Sequence, residues 1–138
     1  MNKFKRIFNR ILAILAALIL LQTLYFKFSA HPDSVQLFTE LGMEPWGRIG
    51  IGILELIAGL LLLYPKTTSF GALLSFGIIS GAVFFHLFVL GIEVNNDGGG
   101  LFAMALAVFI SSLILIIMNW KELLANFQGV LKKSNSMV

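Results

Sequence analysis

Residues 47–65, GRIGIGILELIAGLLLLYP, decide how the rest of this chain is read. Apart from Arg48 at its edge, the stretch is an apolar helix of membrane-spanning length, because about 20 helical residues cross the hydrocarbon core of a bilayer. One residue is foreign to it. Glu55 stands near the middle, between Leu54 and Leu56, and a carboxylate in that position demands a physical reason.

Working outward, the whole chain shares the character of this stretch. Of its 138 residues, 58% are hydrophobic and only 12% charged, with a mean hydropathy of +0.92. Soluble domains carry about 25% charged residues, so this composition belongs to an integral membrane protein. Four spans of about 20 residues use up nearly the full length, which leaves one membrane domain over 1–138 and no room for a soluble one. With no cysteine in the sequence, disulfides, thiolate metal sites and cysteine nucleophiles are excluded.

The expected fold is all-α, a bundle of four transmembrane helices at about 7–28, 47–64, 70–90 and 101–120. The first follows the basic lead MNKFKR. It is read as a retained helix rather than a signal peptide, since its apolar run exceeds the usual h-region and bulky Phe28 stands where a small residue would precede cleavage. Between the first two spans, Pro32 and Asp33 open a short amphipathic helix with Val35, Phe38 and Leu41 on one face. Trp46 then anchors the chain at the interface. After the fourth span, the tail reads as a short polar segment.

Basic residues orient the bundle. Lys3, Lys5, Arg6, Arg10, Lys66, Lys121, Lys132 and Lys133, eight of the ten Lys and Arg, fall on one side of the four spans. The positive-inside rule places that side, with both termini, in the cytoplasm. The expected location is thus the inner membrane, with 29–46 and 91–100 outside. A pI near 9.5 would otherwise raise nucleic acid as a partner. Here the charges flank apolar spans, so lipid is the partner and nucleic acid is not.

Three ionisable residues lie within or at the rim of the spans: Lys27, Glu55 and His86. Glu55 is eight residues beyond Gly47, roughly 12 Å along its helix, and His86 is roughly 6 Å from the same surface. Lys27 ends the first span. All three fall in the outer half. At about 100° per residue, each shares a stripe with small residues: Gly52 and Gly59 with Glu55, Gly71, Ser75 and Ala82 with His86, Ala16 and Thr23 with Lys27. Small residues mark the faces on which membrane helices approach each other.

An unpaired charge at mid-bilayer costs about 2.5–3.5 kcal/mol even on the lenient scales. Glu55 can offset this by pairing with Lys27 or with protonated His86, or by taking up a proton. Either way the three residues predict a small polar pocket opening outward. Glu55 as a neutral acid hydrogen-bonded between helices, with no chemistry, is the plainer alternative, and for His86 alone simple packing is favoured. No ligand spacing supports a metal site. NNDGGG lacks the spacing of a phosphate loop and reads as a flexible turn.

Several stretches together resemble the DoxX and DoxX-like family of small four-helix membrane proteins: FKF around Lys27, LFTELGMEP in the outer loop, GILELIAGLLLL around Glu55, and FGALLSFGIISGAVFFHLF ending near His86. The resemblance implies the four-span fold and a link to redox work at the membrane. Some family members resemble subunits of thiosulfate:quinone oxidoreductase, others accompany oxidative-stress enzymes, and relatives in the wider group look like assembly factors. The expected function is an accessory subunit of a quinone-linked or oxidative-stress system, with a quinone head group between Glu55, His86 and Lys27. The alternative is a non-enzymatic assembly or maturation factor for another membrane or exported protein. No redox ligand belongs to the chain itself, so it is read as an oxidoreductase subunit rather than an enzyme in isolation, with a redox or assembly complex as its protein partner.

Overall fold

In the computed structural model, which describes residues 1–138, every regular element is helical. Helix α1 (Lys3–Gln22) starts where the Asn2 side chain accepts a hydrogen bond from the Lys5 amide (2.9 Å), satisfying one of the donors every helix start leaves open. After a one-residue break at Thr23 the chain continues as α2 (Leu24–Phe28). A nine-residue helix, α3 (Pro32–Glu40), follows, with Pro32 in its first turn and the His31 ring accepting from the Asp33 amide (3.2 Å). Next come α4 (Trp46–Leu63), a 3-10 turn (Pro65–Thr67) and α5 (Thr68–Phe85), which ends in a π-helical turn (His86–Leu90). Helices α6 (Gly100–Met118) and α7 (Trp120–Ser136) complete the chain.

Four stretches are long and apolar enough to cross a membrane: Lys3–Phe28, Trp46–Leu63, Pro65–Leu90 and Gly100–Met118. These are the four spans expected, with shifted ends. The first starts earlier because of the Asn2 cap, and the fourth stops at Met118, where the Asn119 side chain donates through Nδ2 to the Leu115 carbonyl (2.7 Å). The tail corrects the sequence reading. It is not a short polar segment but the 17-residue helix α7. Its apolar residues recur at helical spacing, a periodicity that its polar composition masks.

The spans form a closed ring. α1 packs on α4 and α6, and α5 packs on the same two, so α1 and α5 occupy opposite corners. The core is built from small residues: Ala13, Ala16 and Ala17 of α1, Ala58 of α4, Ala72 of α5 and Ala105 of α6 are all buried. Lipid supplies no hydrophobic drive between helices, so close approach through small side chains has to hold them. Gly71 shows how close that approach is. A Cβ built there would lie 2.6 Å from the Leu62 backbone nitrogen.

Arg10 bolts one end of the ring. Its guanidinium donates to the carbonyls of Leu62 (3.3 Å) and Leu63 (2.7 Å) and to the Thr68 hydroxyl (3.2 Å). Those carbonyls are the ones α4 leaves unsatisfied at its C-terminus. Outside the ring, the two tyrosines and two tryptophans of the sequence are exposed at helix ends: Tyr25 and Trp46 at one end, Tyr64 and Trp120 at the other. Such aromatic belts mark the two membrane–water interfaces. Eighteen residues separate Trp46 from Tyr64, about 27 Å of helix, close to one hydrocarbon thickness.

Candidate functional site: a cavity with an intramembrane ion pair

The break at Thr23 gives the site its first wall. The Thr23 hydroxyl lies 2.8 Å from the Leu20 carbonyl and 3.0 Å from Glu55 Oε2, and its single proton serves one of these at a time. One turn on, Lys27 Nζ reaches both the Thr23 hydroxyl (3.2 Å) and Glu55 Oε2 (2.9 Å). Glu55 is 6% exposed and sits near the middle of α4. A bare carboxylate here would be costly, and the ammonium and hydroxyl converging on one oxygen offset that cost. No protein group bonds the second oxygen, Oε1, which is left to the cavity that Glu55 lines.

Lys27 is itself held in place. Arg48, buried in the first turn of α4, grips the Glu44 carboxylate through Nε (2.9 Å) and Nη2 (2.8 Å), and its Nη1 donates to the Lys27 carbonyl. The end of α2 is thereby tied to the start of α4, which sets the reach of the Lys27 amine. The sequence reading missed this. The only local signal was the i, i+4 spacing of Glu44 and Arg48.

His86 forms the opposite wall. It opens the π-helical turn at the end of α5, is 3% exposed, and packs its ring on Phe102 (5.4 Å). Its Nδ1 lies 2.9 Å from the Gly91 carbonyl. A carbonyl only accepts, so Nδ1 carries the hydrogen, and a neutral His86 keeps its lone pair on Nε2. Gly91 can offer that carbonyl at the turn because its φ is +84°, a backbone conformation open to glycine.

Lys27, Glu55 and His86 all line one partly open cavity of about 450 Å³ that the four spans border. That volume lies in the range of small-molecule sites, and most of the lining is apolar. Helix α3 contributes Leu37 and the buried Phe38, and the 91–99 loop contributes Asp97. Asn95 of the loop donates to Asp33 of α3 (3.4 Å), joining the two coverings. The loop is an ordered turn: the Asp97 carboxylate accepts from the amides of Leu101 (3.0 Å), Gly99 (2.8 Å) and Val94 (3.1 Å). These bonds hold its pKa below the usual carboxylate value. An acid three residues before the start of a helix was the signal available for this cap. His31, by contrast, caps α3 outside the cavity, and no group of three or more His, Asp or Glu side chains is placed to hold a metal ion.

A ring of four apolar helices around a mostly apolar cavity that holds an ion pair, with aromatic belts at both ends, defines a multi-pass membrane protein. The DoxX-like family matches residues 11–115, and the chain belongs to that family. No curated protein and no solved structure matches it.

Proposed function

We propose that this protein is an accessory subunit of a quinone-linked or oxidative-stress redox system, and that its cavity receives the head group of a quinone. The observation that carries this reading is the cavity's polar complement. Lys27 offers an ammonium held against Glu55 (2.9 Å), Glu55 Oε1 is unengaged, and the His86 tautomer leaves Nε2 as an acceptor. Such a set can donate to a carbonyl oxygen at one wall and take a proton from a hydroxyl at the other. The apolar remainder of the lining suits a ring and its isoprenoid root. When bound, the quinone would supply the two-electron chemistry. The chain would orient it, exclude water and hold or release the protons, while electrons come from a partner.

In this reading the cavity faces outward from the inner membrane, with both termini cytoplasmic and 29–46 and 91–100 outside. The one-sided distribution of eight basic residues supports that orientation. Stoichiometric quinone in the solvent extract of protein purified in mild detergent, and its loss from Glu55→Gln protein that still folds, is the expected result. A quinone-free preparation carrying a stoichiometric protein partner would overturn it and favour the second reading, an assembly factor. One feature speaks for that alternative: an added Cβ at Gly77 of α5, outside the cavity lining, would meet nothing within 4 Å, which leaves room there for another membrane helix.

A further inference from the structure

Helix α7 plays no part in the ring or the cavity, yet it is strongly two-sided. Leu123 alone is buried. Trp120, Leu124, Phe127, Val130 and Leu131 form an exposed stripe along one face, while Ala125 and Gly129 fall on the other at 100° per residue. The helix does not run clear of the bundle. Phe127 lies nine residues beyond Met118, about 13 Å along a straight helix, yet its ring meets Phe70 in the first turn of α5 at 5.8 Å. The chain therefore bends at Asn119 (φ −105°, ψ 16°) and packs α7 back against α5 as well as α6. That contact holds the helix at the level where the spans begin, beside the exposed rings of Tyr64 and Trp120.

At this level, the part of the stripe that the bundle leaves uncovered, Trp120, Leu124, Val130 and Leu131, meets lipid. The charge beside it is one-sided. Lys121, Lys132 and Lys133 flank the stripe against a single acid, Glu122, and Lys66 and the basic lead of α1 belong to the same end. Long lysine stems at the border of an apolar face let the ammonium reach headgroups while the stem stays in the acyl boundary.

We propose that α7 is an in-plane membrane helix, its apolar stripe inserted in the interface and its lysines selecting an anionic lipid surface. The native chain has no cysteine, so single cysteines can be placed in the full-length protein and spin-labelled without background. In vesicles rich in phosphatidylglycerol, labels at Leu124, Val130 and Leu131 should be open to oxygen and shielded from a water-soluble nickel complex, with labels at Ala125 and Gly129 the reverse. Converting Lys121, Lys132 and Lys133 to glutamine should shift the immersion equilibrium on the order of a hundredfold, about fivefold per lysine. In phosphatidylcholine the native helix should lose its immersion to a similar degree.

Three results would overturn the proposal. The stripe labels could be as open to nickel as the opposite face. They could show dipolar broadening from a second copy, which would make the stripe a dimer contact. Immersion could be equal in neutral and anionic vesicles and indifferent to salt, which would remove the lysines' role. None of these depends on what the cavity binds.

Discussion

Lys27 and Glu55 meet where a lone charge is most expensive, so neither can be changed without regard to the other. Glu55→Leu removes one charge and leaves the Lys27 ammonium, 13% exposed at its side chain, with only the Thr23 hydroxyl. Breaking a buried pair from one side costs about 3–5 kcal/mol, whereas replacing both members by apolar residues is often neutral. The expected result is that Glu55→Leu and Lys27→Met each lower stability in detergent by about that amount, and that the double variant recovers most of it. Thermal unfolding of the four proteins measures this, and additive losses would mean that the pair is not coupled. Glu55 was legible in the sequence because an intramembrane carboxylate must find a partner, and Lys27 lay in the same outer half of the bundle, within reach of its long side chain. Arg48 was not, since its role depends on meeting a carbonyl 21 residues away in the chain.

Among the elements, the α4–α5 hairpin has the least slack. Gly71→Ala would drive a methyl group into the Leu62 and Leu61 backbone, and backbone cannot rotate aside. A loss of about 1–3 kcal/mol is expected. Gly77→Ala on the same helix meets nothing and should leave stability unchanged or raise it by up to about 1 kcal/mol through helix propensity. Equal effects at the two positions would contradict the packing described. The 91–99 turn has its own pH dependence. Because the Asp97 pKa is lowered in the fold, its contribution is full above the ordinary carboxylate range and fades as pH falls through the lowered native value. Exchange protection of the Val94, Gly99 and Leu101 amides should therefore persist to unusually acid pH and be lost at all pH values in Asp97→Ala. Long apolar spans announce themselves by hydropathy. The π-helical turn at His86 and the in-plane helix α7 do not, since one depends on a single shifted hydrogen-bond register and the other hides a regular stripe in polar composition.

At the scale of the molecule, four crossings put both chain ends on one side of the bilayer. Phosphatase fusions after Val138 and after Met1 should both be silent in the periplasm, and fusions within 29–46 or 91–100 active; an active C-terminal fusion would reverse the orientation. The number of spans could be read from the sequence. The order of helices around the ring, with α1 closing against α6, could not, because lipid-facing and partner-facing sides are both apolar and differ chiefly in side-chain size. The convergence of Lys27, Glu55 and His86 on one cavity needed that closure, which periodicity alone does not supply.

The spans are also unequal. The α4 span holds 18 residues and the first span 26, about 27 Å against about 39 Å of helix. The difference lies at one end. Arg10 holds the Leu62 and Leu63 carbonyls where α4 stops, so residues 3–9 extend about 10 Å past the shorter span. That extension carries Lys3, Lys5 and Arg6. The extra length is thus a basic helical post standing clear of the hydrocarbon, and its charges set how deep the bundle sits in the bilayer.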